Sequence, residues 1–370
     1  MIFKTDNTEA KLLQLEEFAE LDAVLATKAK NDVRNERFVF NLIEKYVDTS
    51  RSDCFTFAAN NHDDANQLAD ETYHAVIHFK RVNNFQFINK QFEAINTKLP
   101  KGGIFVSKVE TNDLRKQRLM EKYPPYLNKV YYFFDFVFKR VFPKLPVTQQ
   151  IYYAITKGHN RVLSKTEMLG RLYSCGFKVI EERYIGNRLY IVSEKFRDPA
   201  YDEDPSYGVI YPMKRVGKGG KIISVYKFRT MHAYAEYLQE YVYEKNNLEE
   251  GGKFKDDFRV SRVGRMLRKY WIDELPMILN VLKGDLKIVG VRPLSRHYLS
   301  LYSKELQDMR KKFKPGLIPP YYVDLPKTME EIMDSEMRYL KAYQKSPFLT
   351  DVRYFLMVFY TILFKRARSK

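Results

Sequence analysis

Trp271-Ile272-Asp273-Glu274-Leu275-Pro276-Met277-Ile278-Leu279-Asn280-Val281-Leu282-Lys283-Gly284-Asp285 sets two adjacent carboxylates ahead of an apolar run. Pro276 has no N–H to donate and is tolerated in the first turn of a helix, and Leu275, Ile278, Leu279 and Leu282 recur with helical spacing. The stretch therefore predicts a helix whose N-terminus lies at or just after Asp273 and Glu274. The partial positive charge of that helix end holds carboxylates ionised and attracts phosphate. Two readings follow, an acidic N-cap or part of a phosphoryl-transfer site.

The flanking residues are basic. Arg262, Arg265, Arg268 and Lys269 fall within two helical turns just upstream, a density that requires water or paired anions around them. Downstream, Val289-Gly290-Val291-Arg292-Pro293 sets Arg292 on a stiff loop suited to a bidentate phosphate contact, and Phe313-Lys314-Pro315-Gly316 marks another basic turn. Further upstream, two β-rich runs flank Lys218-Gly219-Gly220-Lys221, which predicts a hairpin with Lys227 and Arg229 on one face.

The whole chain has 370 residues and a net charge of +17, enough length for two domains and a balance that favours anionic partners such as nucleotides or a phospholipid surface. Nucleic acid is not expected, since no helix-turn-helix or aromatic RNA-binding motif accompanies the charge. Cys54 and Cys175 have no zinc or redox spacing, which fits a reducing compartment, and the first 30 residues lack the apolar run of a secretory signal. No run of about 20 apolar residues predicts a spanning helix. Residues 131–142 and 348–364, aromatic and flanked by cations, could each lie in a membrane interface or form an amphipathic core helix.

The polar, acidic stretch from Phe196 to Ser206 predicts a boundary. Before it we expect a helical arm over 1–46 and an α/β domain over 47–196: a strand near Cys54, a polar helix, a strand at Ala75 to Phe79, a helix at Asn84 to Leu99 and a strand at Ile104 to Val109. Ser164-Lys165-Thr166-Glu167 has the form of a capping box opening a helix that Gly176 ends, and strands follow from Phe177 and Arg188. Alternation of strands and helices predicts a largely parallel sheet. Tyr73 to Ile77, Leu99 to Val106 and Leu172 to Ile180 resemble the second half of a Rossmann-like S-adenosylmethionine-dependent methyltransferase. The Gly-rich turn and the following acidic residue of a cofactor site are missing, so this half resembles a degenerate relative kept for structure or partner binding.

The C-terminal half carries six motifs in order: Lys227-Phe228-Arg229-Thr230-Met231, Arg259 to Arg265, Asp273-Glu274-Leu275-Pro276, Asn280 to Asp285, Arg292-Pro293 and Lys314-Pro315-Gly316. Together they resemble the bacterial sugar transferases, the monotopic polyprenyl-phosphate phosphoglycosyl transferases. The fold class expected is thus α/β overall and α+β in the C-terminal half: a partial Rossmann-like parallel-sheet domain, then a phosphoglycosyl transferase domain over 207–370 with a short β-hairpin and helices.

The resemblance implies transfer of sugar 1-phosphate from a nucleotide diphosphosugar such as a UDP-sugar to polyprenyl (undecaprenyl) phosphate, initiating exopolysaccharide, capsule or O-antigen synthesis. Asp273 would be the nucleophile, Glu274 its acid/base or metal-positioning neighbour, and Mg²⁺ the ion held by the two. Arg292 would clamp phosphate, with Lys227, Arg229 and Arg265 as further contacts. The expected location is the cytoplasmic face of the bacterial inner membrane, against an anionic surface, with a homo-oligomer allowed. Departures from the family include a polar linker where an apolar membrane hairpin helix usually stands, and Leu317-Ile318-Pro319-Pro320-Tyr321-Tyr322 after the Lys-Pro-Gly turn. A catalytically reduced scaffold that binds nucleotide sugar or partner enzymes is the alternative.

Overall fold

A computed structural model describes residues 32–57, 65, 68–201, 208–246 and 257–364. Several sequence expectations lie outside the described residues: the first 31 residues of the arm, most of the polar helix after Cys54, residues 202–206 of the linker, and the cations beyond Phe364. Contacts divide the chain into two units, Met1–Pro205 with Tyr234–Lys245, and Ser206–Ala233 with Asn246–Lys370.

The first unit begins with a helix over residues 32–44 (α1) and continues with β1 Cys54–Phe57, β2 Ala75–Arg81, α2 Ile88–Lys98, β3 Ile104–Val109, α3 Asn112–Lys122, α4 Leu127–Phe136, α5 Pro146–Thr156, α6 Lys165–Ser174, β4 Phe177–Ile185 and β5 Arg188–Lys195. The strands form one sheet in the order β1-β2-β3-β5-β4. Side chains alternate between its faces. Ala75 and Ile77 of β2 and Val106 of β3 meet Val39, Leu42 and Ile43 of α1, while Phe105 packs at 5.5 Å on Phe92 of α2. Helices thus cover both faces.

The expected parallel sheet is corrected to a mixed one. β1, β2 and β3 run parallel, but β5 is antiparallel to both β3 and β4. The cause is local: only Gly186 and Asn187 separate β4 from β5, Gly186 has φ +56, and so short a link permits only a hairpin. The capping box is half made. Ser164 Oγ accepts from the Glu167 N–H at 3.1 Å, but the Glu167 carboxylate turns to Arg140 and Arg171 instead of the cap.

The second unit holds the expected hairpin, β6 Ile210–Val216 with β7 Ile222–Phe228. After the hairpin the chain forms α7 Gln239–Asn246, which but for its last residue belongs to the first unit, and the second unit then continues with α8 Arg262–Lys269, α9 Met277–Leu282, β8 Lys287–Val289, α10 Arg296–Ser300, α11 Lys304–Lys312, β9 Gly316–Ile318, α12 Tyr321–Asp324, α13 Met329–Lys345 and α14 Pro347–Phe364. Its larger core joins Val289, Val291 and Leu294 to Leu306, Tyr339 and Leu340. A smaller one joins Val225, Met277 and Leu286 under the hairpin.

Two glycines in the motifs are places where backbones touch. A Cβ on Gly264 would lie 1.9 Å from the Thr230 carbonyl oxygen, so only glycine lets α8 dock on the end of β7. A Cβ on Gly316 would lie 2.1 Å from the Gly290 nitrogen, where β8 and β9 run parallel. That parallel pair sends Arg292 and Tyr321 out from the same end of two adjacent strands.

Candidate functional site

The carboxylate pair does not begin α9 directly. Trp271 adopts a left-handed conformation with φ +55, a geometry that costs a bulky residue roughly 1–2 kcal/mol, and Ile272–Glu274 then form a separate 3-10 turn. The Trp271 indole N–H donates to the Tyr322 hydroxyl at 3.1 Å, which anchors the strained turn. Leu275 and Pro276 continue into α9, a helix of six residues. The expected position just ahead of a helix is therefore found, on a helix much shorter than the apolar periodicity suggests.

Asn280 ties that helix to the hairpin. Its Oδ1 accepts from the Tyr226 N–H at 2.9 Å, and its Nδ2 donates to the Ser224 carbonyl at 2.8 Å and to Asp285 Oδ2 at 3.2 Å. A fully buried amide with its bonds made is a rigid clamp, and leaving its partners unmade would cost about 1–3 kcal/mol. Asp285 serves the same turn.

Lys227, Glu274, Arg292, Arg215, Tyr321 and Tyr322 surround a small cavity of about 30 Å³. Lys227 Nζ donates to Glu274 Oε1 at 2.6 Å, and the Arg292 guanidinium stands 4.0 Å from the same oxygen. Arg292 Nη1 also donates to the Tyr321 hydroxyl at 3.2 Å. Buried Arg310 holds the loop from beneath, donating both to the Arg292 carbonyl and to the Glu336 carboxylate.

Asp273 lies beside this cavity and is only 9% exposed. Burial pushes its carboxyl above the usual carboxylate range; Lys227 draws it down, Glu274 adds to the rise, and Arg268 opposes it. Arg268 is half-buried and donates to Thr230 Oγ1 at 2.9 Å.

The structure gathers Lys227, Glu274 and Arg292 around one cavity, which Asp273, adjoining Glu274 in the same turn, does not itself line. Arg229 is placed elsewhere, over the Tyr211 ring at 4.9 Å and donating to the Gly208 carbonyl at 3.0 Å. Arg265 is exposed on α8 and donates to the Val260 carbonyl at 3.2 Å. The sequence reading missed Arg215, Asn280, Tyr321 and Tyr322. Period-two alternation placing Met213 and Arg215 on one face of β6 was the available signal for Arg215.

Among the described residues no group of three or more His, Cys, Asp or Glu side chains could enclose a metal. Asp273 and Glu274 are hard oxygen donors, and two carboxylates fit an ion such as Mg²⁺ that takes its remaining ligands from water and substrate phosphate.

On the solvent side of the turn, Leu275, Ile278, Leu279 and Leu282 are exposed, the last at 78%. Val263, Met266 and Tyr270 of α8 are exposed as well, alongside Arg262, Arg265 and Lys269. The apolar periodicity of the opening stretch therefore marks an outward face, while Met277 and Asn280 point inward.

Residues 201–365 match the bacterial sugar transferase family. The galactosyl transferase CpsE of Streptococcus agalactiae is 32% identical over 159 residues, covering 42% of this chain and 34% of that protein. The undecaprenyl-phosphate galactose phosphotransferase of Salmonella typhimurium is 39% identical over 113 residues, 29% of this chain and 24% of its own. The UDP-N-acetylgalactosamine-undecaprenyl-phosphate N-acetylgalactosaminephosphotransferase of Aeromonas hydrophila is 38% identical over 100 residues, 26% and 21% of the two chains. The chain thus spans between 21% and 34% of the length of these relatives. A solved methyltransferase structure from Bacillus halodurans aligns at 18% identity with a TM-score of 0.21 over 33% of this chain and 46% of its own, too slight a likeness to assign a fold.

Proposed function

We propose, from the premise that residues 201–365 belong to the bacterial sugar transferase family, that the chain transfers a sugar 1-phosphate from a nucleotide diphosphosugar to polyprenyl phosphate through a phosphorylated Asp273. The observation that carries this reading is the Lys227, Glu274 and Arg292 cluster around a small cavity, with the buried Asp273 carboxylate adjoining Glu274 in the same turn. An Asp oxygen attacks the sugar-side phosphorus, the bridging P–O bond breaks, and the nucleoside monophosphate leaves with the electron pair. Lys227 and Arg292 offset the charge that gathers on the phosphoryl oxygens, and Glu274 holds both cations in place. Attack by a polyprenyl phosphate oxygen then releases Asp273.

Mg²⁺ held by Asp273 and Glu274 would supply further charge neutralisation on the phosphates. The lipid acceptor would approach over the exposed leucines of α9, next to the carboxylates. Support for a membrane-surface location comes from the charge of +17 and from exposed apolar helix faces. In α14, Phe348, Leu349, Phe355, Leu356, Phe359 and Tyr360 are exposed; in the first unit, so are Leu127, Tyr131, Phe133 and Phe134 of α4. Among the described residues no helix is long and apolar enough to cross a membrane. The pathway we favour is the start of exopolysaccharide, capsule or O-antigen assembly.

Incubating the protein with radiolabelled UDP-sugar and Mg²⁺ tests the reading. It expects release of UMP and label on Asp273; a chain that binds nucleotide sugar but does neither is a scaffold.

A further inference from the structure

Adjoining the small cavity is a much larger cleft of about 390 Å³, within the size range of organic-ligand sites. The two share Arg215, Arg292, Pro293 and Tyr321 as a common wall. Beyond that wall the cleft changes character. Tyr298, Tyr302 and Tyr321 present aromatic surface, Leu294 and Ile332 present aliphatic surface, and the Glu336 carboxylate lies at its base.

The cations in the shared wall are not neutralised by carboxylates on the cleft side. Arg215 donates to the Lys214 carbonyl at 2.8 Å and touches Met213 Sδ at 3.9 Å, neither of them anionic. Burial lowers the Arg215 pKa, and the nearby Arg292 charge lowers it further. Two guanidiniums lining one partly desolvated wall are stabilised by an anion between them.

We propose that this cleft is the nucleoside subsite: the base and ribose of the donor lie among Tyr298, Tyr302 and Ile332, and the phosphate attached to the ribose lies between Arg215 and Arg292. The inference deepens, and rests on, the reading of the Glu274 cavity as the place of phosphoryl transfer. A cavity of 30 Å³ has no room for a nucleoside, so the diphosphate bridges the wall with the sugar-side phosphorus toward Asp273 and Glu274. When the bridging bond breaks, the electron pair passes to the ribose-side phosphate, and the new negative oxygen is born beside the two guanidiniums. The tyrosines offer ring faces on which any base can stack, so the cleft selects for a nucleotide more strongly than for one base.

The test is equilibrium binding to the full chain by calorimetry with UMP, CMP, GMP, AMP and inorganic phosphate as probes, run separately from the transfer assay. Tyr298 is exposed at the cleft mouth, so its replacement spares the core. Tyr298→Ala should weaken UMP about tenfold while inorganic phosphate binds as before, and Tyr298→Phe should restore UMP. Arg215→Ala should weaken UMP and phosphate together. UMP affinity unchanged by Tyr298→Ala, or a wild-type chain that binds none of UMP, CMP, GMP and AMP, overturns the subsite. The two readings fail separately: a Tyr298-sensitive UMP site without labelled Asp273 removes the proposed chemistry only, and labelled Asp273 with Tyr298-insensitive UMP binding removes the subsite only.

Discussion

Glu167 in the first unit and Glu274 in the second are carboxylates flanked by cations, and their surroundings lead to opposite uses. Glu167 is buried, receives Arg171 at 3.0 Å and Arg140 closer still, and has Lys144 3.9 Å away; against the burial penalty, these charges hold it well below the usual range. Glu110, also in the first unit, meets Arg118 at 2.8 Å and Arg115 and Arg188 at 3.3 Å. Each of these two carboxylates is met by several cations of the same chain. At Glu274 one cation is bonded, the second stands off at 4.0 Å, and neighbouring Asp273 is raised by burial. Saturated networks specify structure, whereas an unsaturated one beside a cavity retains the capacity to hold a ligand's charge.

The most severe way to break this contrast is Asp273→Asn. The amide fills the same space and cannot form the phospho-enzyme, so transfer should fall by about 10³-fold or more, while the circular dichroism spectrum and thermal unfolding remain those of a folded chain. Retained sugar-phosphate transfer would remove Asp273 from the mechanism.

The mirror experiment is Glu167→Gln. It removes the buried carboxylate that Arg140 and Arg171 both pair with, and chemical denaturation should report a loss of about 3 kcal/mol. Phospho-enzyme formation per folded molecule should change little. A smaller effect is expected for Arg292→Lys, which keeps the charge and loses the planar fork: kcat/KM falls about 10- to 30-fold with stability nearly unchanged. If the lysine variant matches wild type, Arg292 acts through charge alone.

What could be read along the chain follows the same division. The hairpin, the Ser164 cap and the placement of Asp273-Glu274 ahead of a helix depend on neighbours in sequence, and each is found. Contacts that depend on chain crossings were illegible: Asn280 reaching the Ser224 and Tyr226 backbone, Arg310 gripping the Arg292 carbonyl, and Arg215 turning toward Arg292 from the far strand of the hairpin. Sheet direction was misjudged because two strands as adjacent as β4 and β5 are set by a turn of two residues, not by the alternation of strands with helices. The leucines of α9 show a different limit. Periodicity reveals that a face is apolar without saying whether protein or lipid covers it.

The finest distinction between the two regions is the sign of their pH dependence. Asp273 is raised above its ordinary value of 3.8, chiefly by burial, so its neutral form is the one the fold prefers. Its contribution to stability is present below the unfolded-state pKa and is lost as pH rises through the folded one. Asp273→Asn, fixed in the neutral form, should match wild type in acid and become the more stable protein toward neutrality. Glu167 is lowered from 4.5 despite its burial, because Arg140, Lys144 and Arg171 outweigh the desolvation penalty. Its contribution is present above the unfolded-state pKa and is lost as pH falls, so the deficit of Glu167→Gln should be widest near neutrality and close in acid. Urea midpoints from pH 2 to 8 for the three chains give both curves. If the two differences shift in the same direction, Asp273 is as fully paired as Glu167, and the reactive carboxylate would have to be sought in Glu274, the member of the pair that lines the cavity.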